Sequence, residues 1–436
     1  MKLTFLGGAS EVGRSCILLD TGSTTIMMDS GVKIGGKNEF PEITREQLGK
    51  VSAIFITHAH LDHCCYLPHL YAMGYRGPIY ATKPTIELLS VQIADYIRLS
   101  TPLDVDNKTL QDMSKHLRIA EYRKPIKLRD VTVEFLNAGH ILGSALLNVT
   151  AGGKTVVYTG DINLAKTKLL EGADLQGLKA DTLITESTYG SKSDIFPSER
   201  EMAKEMAASI KETLKTGGKV IVPSFGVGRA QEVLLFLDDF MNSGGLPKVP
   251  IYVDGMINKV MRIHRHNVIY CRDEIQKRIL MSDYDSFKSS NFVIVEKKGM
   301  RDKIVKEGGG SIIVTTSGML TGGPVVYYMK KLAGEAGNKL ILVGYQPEGT
   351  PGRALLDGAK RLDFHDTKLN VRLKVQIFHM SAHADRKQLE TIPKKLAGLK
   401  NIFIVHGEVS KAQELMHHFG SKYKVQVPQI GDTCEI

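Results

Sequence analysis

The sequence predicts an α/β protein, because short apolar runs alternate with amphipathic helix patterns along most of its 436 residues. Some of these runs end in a histidine, an aspartate or a glutamate, and others end in a glycine loop that precedes a helix. Parallel strands present their carboxyl ends at one edge of a sheet, where such proteins place their functional residues. With 42% apolar residues and this length, we expect two domains, each with its own core.

The densest polar cluster follows the apolar run 51–56, which has the pattern of a buried strand. Three histidines and one aspartate come directly after it, namely His58, His60, Asp62 and His63. His58 and His60 are two positions apart, so both can face one side of an extended loop. Asp62 and His63 are adjacent and can serve a second metal site nearby. Imidazole and carboxylate ligands suit Zn²⁺, with Mn²⁺ or Fe as alternatives. A solvated loop that happens to be rich in histidine is the weaker interpretation.

Other apolar runs end in residues of the same chemical types, and these are His140, Asp161, Glu186, His383 and His406. A lone histidine after a strand is usually structural, but the repetition of the pattern favours a shared site. Asp29 closes the strand pattern 24–28 and could orient the metal loop by hydrogen bonding. For Asp29 taken alone, an ordinary turn aspartate is a comparable alternative.

From about residue 190 the pattern becomes strand, glycine loop and helix, as in 219–242 and 312–323. This order predicts a parallel α/β layer, and we interpret the segment as an inserted domain. Glycine loops leave backbone N–H groups available, so we expect Arg229, Ser317 and Gly318 to face phosphates. Tight turns between strand and helix are the structural alternative for these glycines.

The net charge of +10 favours a polyanionic partner without naming one. Two segments, 259–278 and 297–306, are locally basic, and an ordinary solvated face explains each of them equally well. The five cysteines are odd in number and form no CxxC pair, which argues against a disulfide framework or a zinc–thiolate site. No apolar run approaches the roughly 20 residues of a membrane span, and the N-terminus starts with a strand pattern, so we expect a cytoplasmic protein.

The motif His-Ala-His-Leu-Asp-His at 58–63, together with Asp29, His140 and Asp161, resembles the first four motifs of the metallo-β-lactamase superfamily. The long insertion and the surroundings of Glu186, His383 and His406 are similar to motifs A, B and C of the β-CASP nucleases. The chain most resembles archaeal homologues of the endonuclease subunit of the cleavage and polyadenylation specificity factor. Longer archaeal members carry KH modules before the catalytic domain. We expect a form that lacks them and binds RNA with the body of the enzyme.

This resemblance implies an αββα metallo-β-lactamase sandwich formed by 1–189 and 359–436, with a parallel α/β β-CASP domain inserted at 190–358. It also implies two Zn²⁺, one held by His58, His60 and His140, the other by Asp62, His63 and His406. Asp161 would bridge them, and Asp29 would support the ligands. The catalytic residues would be His383 as the proton donor, Glu186 as its partner, and Asp62.

The implied activity is hydrolysis of single-stranded RNA to 5′-phosphate and 3′-hydroxyl ends, by an endonuclease that could also digest from the 5′ end. Arg229, Ser317 and Gly318 would then contact RNA phosphates. Histidine at position 406 favours RNA, because the DNA-processing branch carries valine there. A homodimer and an RNA-processing or decay complex are further expectations, and we expect the apolar segment 425–436 to be packed or at an interface.

Two other classes of function compete with a ribonuclease. A small-molecule hydrolase, such as a thioesterase or lactonase, shares the 58–63 motif, but it needs neither a basic insertion nor a partner for Glu186 and His383. A non-catalytic scaffold would keep the fold and would be expected to have lost ligands. All seven predicted ligands are present in this sequence, so we rank the scaffold last.

Overall fold

A computed structural model describes residues 1–34, 38–100, 104–282, 284–364 and 367–436. The chain folds into two compact units, each described by itself. The first unit comprises Met1–Lys166, Leu170–Ile195 and His383–Ile436, and the second comprises Thr167–Leu169 and Phe196–Ala382. The predicted domain limits at residues 189 and 358 stay a prediction.

The strands follow one another along the chain in a single numbering. They are β1 (Lys2–Gly7), β2 (Cys16–Asp20), β3 (Thr25–Met28), β4 (Val51–Phe55), β5 (Ile79–Thr82), β6 (Leu117–Ala120), β7 (Ile126–Leu128), β8 (Val131–Asn137), β9 (Ala145–Ala151), β10 (Lys154–Tyr158), β11 (Thr182–Glu186), β12 (Lys219–Pro223), β13 (Ile251–Asp254), β14 (Phe292–Ile294), β15 (Ser311–Thr315), β16 (Lys339–Leu342), β17 (Arg361–Phe364), β18 (Thr367–Asn370), β19 (Lys374–Ile377), β20 (Asn401–Val405), β21 (Lys424–Gln426) and β22 (Thr433–Glu435).

The α-helices are numbered in chain order as well. They are α1 (Arg45–Lys50), α2 (Leu61–Cys64), α3 (Leu67–Ala72), α4 (Lys83–Ser100), α5 (Asn107–Lys115), α6 (Glu199–Lys215), α7 (Arg229–Asn242), α8 (Ile257–His266), α9 (Asp273–Met281), α10 (Met300–Lys306), α11 (Pro324–Leu332), α12 (Pro351–Leu356), α13 (Arg386–Thr391) and α14 (Val409–Phe419). Short 3₁₀ helices occupy Val268–Tyr270, Ser286–Lys288 and Pro393–Lys395.

Two seven-stranded sheets form the first unit. Their strand orders are β22-β1-β2-β3-β4-β5-β6 and β21-β20-β11-β10-β9-β8-β7. Alternate side chains of both sheets meet in one core, where the ring centroids of Phe5 and Phe403 lie 5.4 Å apart and those of Phe55 and Phe135 lie 6.1 Å apart. Residues of α13 and α14 pack on the outer face of the second sheet, and α4 contacts β5 and β6 of the first. The predicted αββα sandwich is confirmed.

The C-terminal segment is packed into the first unit. Strand β21 pairs with β20 in a parallel manner, and β22 pairs with β1 in an antiparallel manner, so each extends one of the two sheets. Of the two alternatives expected for 425–436, the structure therefore shows packing within the chain.

The second unit contains a six-stranded sheet with the order β14-β13-β15-β12-β16-β19, in which every pairing is parallel. Its central strands are buried along their whole length, because helices cover both faces of such a sheet. Strands β17 and β18 form a separate antiparallel hairpin. The inserted parallel α/β layer predicted from the sequence is confirmed. In the part of the chain that the structure describes, no helix is long and apolar enough to cross a membrane.

Candidate metal centre

Sheet topology brings the predicted polar residues of the first unit to one place. The three neighbouring parallel strands β10, β11 and β20 lead to Asp161, Glu186 and His406 at their carboxyl ends. Strand β4 leads into the segment 57–63, and β8 leads to His140. His383 lies just before α13 and is far along the chain from its spatial neighbours Glu186 and Asp161.

The predicted ligands fall into two groups whose ligand atoms lie within 4.8 Å of one another. The first group is His58, His60, His140 and Asp161, and the second is Asp62, His63 and His406. The carboxylate of Asp161 faces both groups. Its Oδ2 lies 3.3 Å from His58 Nε2, and its Oδ1 lies 3.3 Å from His406 Nδ1. These distances place Asp161 between the two groups.

The donor atoms of the first group fit a metal ion. Nδ1 of His60 lies 3.2 Å from Nε2 of His58 and 3.0 Å from Nε2 of His140, so three ring nitrogens converge on one point. Burial lowers the pKa of both His58 and His140, which keeps these rings neutral and their lone pairs available. On the side of the second group, the buried Oδ1 of Asp161 has no hydrogen-bond partner among the described residues, as expected for an oxygen that would bind a cation.

The second group is also suited to positive charge. Burial alone would lower the pKa of His63, but the carboxylates of Asp161 and Asp29 outweigh it and raise this pKa well above the ordinary value. For Asp161 the effects are reversed: burial alone would raise the pKa of its carboxyl, but His406 and His63 hold this pKa well below the usual range. A buried carboxylate that stays ionised among imidazoles is a normal metal ligand.

Asp29 holds the ligand loop from behind. Its side chain is fully buried and accepts four hydrogen bonds: the Thr57 backbone N–H at 2.8 Å, Thr57 Oγ1 at 2.8 Å, His63 Nδ1 at 2.7 Å and the Tyr158 hydroxyl at 2.8 Å. Because Thr57 Oγ1 donates its proton to Asp29, it accepts one from His58 Nδ1 at 3.0 Å. Nε2 of His58 and of His63 are therefore left to serve as ligands, in the arrangement by which buried carboxylates orient metal-binding histidines.

Tyr158 and Thr57 were not among the residues singled out from the sequence. Tyr158 ends β10 and Thr57 lies two residues after the end of β4, but no local pattern pairs either one with Asp29. Only the packing of the two sheets brings Tyr158 and Asp29 together, since Tyr158 belongs to the second sheet and Asp29 follows β3 of the first.

His383 and Glu186 form a second functional element beside the ligands. Nδ1 of His383 lies 3.0 Å from both carboxylate oxygens of Glu186. The ring centroids of His383 and His140 lie 4.5 Å apart. Glu186 is fully buried, and its Oε1 also accepts the backbone N–H of Ile162 at 2.8 Å. Burial lowers the pKa of His383, but Glu186 and Asp161 outweigh it and raise this pKa to about 9. His383 is therefore a cation that retains an exposed side-chain fraction of 18%.

The residues predicted to face phosphates lie in the second unit. Arg229 begins α7 and is buried, with 7% exposure, and it acts electrostatically on Glu232, whose pKa is raised by burial. Ser317 and Gly318 lie in the loop after β15. This loop packs closely on Phe225, since even a Cβ at Gly318 would lie only 3.0 Å from the Phe225 backbone nitrogen. Phosphate contacts by these residues stay a prediction. For Arg229 the alternative is a structural role, in which its charge stabilises the neighbouring Glu232.

Comparisons with known proteins place the chain in a family. Three family profiles match it: the metallo-β-lactamase superfamily domain over 17–189, the Beta-Casp domain over 230–355, and the Zn-dependent metallo-hydrolase RNA specificity domain over 368–428. A solved protein of unknown function from Enterococcus faecalis shares the fold, with a TM-score of 0.59 over 99% of both chains at 14% identity.

Three archaeal relatives are each described as transcription termination factor FttA. The protein of Methanothermobacter thermautotrophicus is 37% identical over 98% of this chain and 70% of its own length. That of Lokiarchaeum is 36% identical over 95% and 68%, and that of Methanocaldococcus jannaschii is 36% identical over 100% and 72%. The chain therefore belongs to the β-CASP branch of the metallo-β-lactamase superfamily of hydrolases, in the group that contains these archaeal proteins.

Proposed function

We propose that this protein is a zinc-dependent ribonuclease that hydrolyses phosphodiester bonds of single-stranded RNA and leaves 5′-phosphate and 3′-hydroxyl ends. The observation that carries the proposal is the His383–Glu186 pair beside the two ligand groups. A small-molecule hydrolase of this superfamily needs no such pair, whereas cleavage of a phosphodiester produces an alkoxide that must be protonated. The match to an RNA specificity domain supports RNA as the substrate.

In this proposal two Zn²⁺ are held by the residues of the centre. His58, His60 and His140 would hold one ion and Asp62, His63 and His406 the other, with Asp161 shared between them. Zinc ions bound there would supply Lewis-acid activation of the scissile phosphate and of the attacking water. Asp62 contributes as a ligand whose Oδ2 lies 3.2 Å from His406 Nε2, and Asp29 fixes the histidine tautomers.

The protein's own acid is His383. With Nδ1 bound to Glu186, the cationic ring carries its second proton on Nε2, and this proton is the one donated to the leaving 3′-oxygen. Glu186 has two roles, because its negative charge keeps the ring protonated and its fixed position sets the direction in which the ring points. The backbone N–H of Ile162 holds Glu186 in place.

The descriptions of the relatives support a proposal for the biological setting. Their description as transcription termination factors suggests that this chain cuts nascent or newly released transcripts, which would place it in the cytoplasm with its RNA. Endonucleolytic cleavage suits such a role, and 5′–3′ exonuclease activity is an additional proposal. We also propose a homodimer and association with an RNA-processing or decay complex. Light scattering of the purified chain tests the dimer, and a monomer at micromolar concentration would contradict it.

The function is tested with two single-stranded RNAs, one labelled at a 5′-monophosphate and one labelled internally, incubated with the protein, a His383→Ala variant and a chelator-treated sample. We expect internal fragments with 5′-phosphate ends from the intact protein and almost none from the two controls. Mononucleotides released only from the 5′ end would replace the endonuclease proposal with an exonuclease. Absence of cleavage by the zinc-loaded protein would contradict the proposed function.

A further inference from the structure

A basic surface of the second unit has no role in the proposed chemistry. It comprises Lys259 and Arg262 of α8 with Lys297 and Lys298, and we call it the α8 surface. Lys259 and Arg262 are exposed and three positions apart, so they project from the same side of the helix. The opposite side of α8 is buried through Ile257, Val260, Met261 and His264.

The two halves of the α8 surface are held together by one acidic residue. Glu296 Oε1 accepts a hydrogen bond from Asn258 Nδ2 at 2.8 Å and lies 3.7 Å from the Arg262 guanidinium. Lys297 and Lys298 follow Glu296 directly and are both exposed. Glu296 thus joins the segment that carries Lys297 and Lys298 to the helix that carries Lys259 and Arg262.

Other basic residues of the same segments are neutralised within the protein. Arg301 forms two hydrogen bonds with the buried Asp254, at 2.7 and 2.9 Å, Arg278 lies 2.7 Å from Asp239, and Arg265 pairs with Asp285. By contrast, Lys259, Lys297 and Lys298 form no ion pair with any residue in the described ranges. Clustered like charges repel one another, so a surface that keeps them is suited to an anionic partner.

We propose that the α8 surface binds the phosphate backbone of the RNA substrate without reading its sequence. The inference rests on the proposed function and extends it, since it assigns RNA affinity to residues outside the hydrolytic centre. Exposed lysine and arginine side chains are the groups that most often contact phosphates, and such contacts position a strand without reading its bases. The charge of +10 favours a polyanion of either kind, and the RNA specificity match favours RNA over an acidic protein as the occupant.

The test uses the full chain in a His383→Ala background, so that RNA stays intact during binding. The affinity for an unstructured RNA of about 30 nucleotides is measured by fluorescence anisotropy between about 50 and 200 mM salt, with and without the substitutions Lys297→Gln and Lys298→Gln. Removal of one phosphate contact should reduce the slope of log affinity against log salt by about 0.7. We therefore expect the slope to fall by about 1.4 and the affinity at low salt to fall several-fold.

The matched control carries Lys394→Gln and Lys395→Gln, an exposed pair of adjacent lysines in the first unit with the same change in charge. We expect its slope and affinity to stay close to those of the background protein. Equal effects of both pairs would show a general charge effect and overturn the proposal. No effect of either pair would also overturn it and would leave an acidic protein as the occupant. Absence of RNA binding by the background protein would instead contradict the proposed function itself.

Discussion

The hydroxyl of Tyr158 offers a sharp test of how the ligand loop is held. The substitution Tyr158→Phe removes only this hydroxyl, which donates to Asp29 Oδ2 at 2.8 Å. Both side chains are buried, with 2% and 0% exposure, so water cannot replace the missing donor. Hydrogen bonds to a charged group contribute about 1.5–3 kcal/mol, and we expect the free energy of unfolding to fall by that amount.

The same substitution should weaken zinc binding. Asp29 orients His63 and, through Thr57, His58, and loss of a direct partner of a metal ligand costs about 10–100-fold in affinity. Tyr158 acts one step further out, through Asp29, so we expect a loss near the lower end, about tenfold. Competition with a chromophoric zinc chelator measures the affinity, and urea unfolding measures the stability.

Tyr71→Phe is the matched control for this experiment. Tyr71 is equally buried in the first unit, and its hydroxyl donates to the backbone oxygen of Gly77 at 2.6 Å, away from the ligands. We expect Tyr71→Phe to reduce stability and leave zinc affinity unchanged. If Tyr158→Phe also left zinc affinity unchanged while reducing stability, the positioning role of Tyr158 would be refuted.

Three further predictions each concern a single residue. Gly31→Ala should weaken zinc binding strongly, because a Cβ at this position would overlap the Asp62 carbonyl oxygen. Gly49→Ala in α1 is the control and should leave zinc affinity unchanged, because a Cβ at Gly49 would meet no atom within 4 Å. Equal zinc affinities of the two variants would contradict this prediction. Glu186→Gln should move the alkaline limb of the kcat–pH profile to lower pH, because Glu186 raises the pKa of His383, and an unmoved limb would argue against His383 as the acid. Burial lowers the pKa of His264 to about 4, which is below its value in the unfolded chain. The contribution of the neutral, buried ring to the free energy of unfolding is therefore full above about pH 6.5 and is lost as the pH falls towards 4. The stability advantage of the intact protein over His264→Gln should therefore shrink by up to about 3 kcal/mol as the pH falls through this range, and a constant difference in urea unfolding would refute the assignment.

Much of the site could be predicted because its residues lie at strand ends. An apolar run followed by His58 or by Asp161 is a local pattern, and parallel pairing of β10, β11 and β20 brings such ends together. The grouping of the ligands came from family resemblance, since strand-end position alone does not say which histidine faces which carboxylate.

Features that depend on contacts between distant segments could not be predicted. The hydrogen bond between Tyr158 and Asp29 joins residues 129 positions apart, and nothing in either local sequence indicates it. The basic segments 259–278 and 297–306 looked uniform, yet the pairing of Arg301 with Asp254, 47 positions away, neutralises one cation and leaves others exposed. Charge density is visible in a sequence, whereas charge pairing requires the fold.

Protonation of the leaving 3′-oxygen by His383 is tested most directly with a substrate that needs no proton. We would compare the intact protein with His383→Ala on an RNA whose scissile 3′-oxygen is replaced by sulfur, since a thiolate leaves without protonation. We expect a loss of about 10²–10⁴-fold on the oxygen substrate and a loss below about tenfold on the sulfur substrate. Equal losses on both substrates would contradict the proposed proton transfer and would mean that His383 serves binding or structure instead.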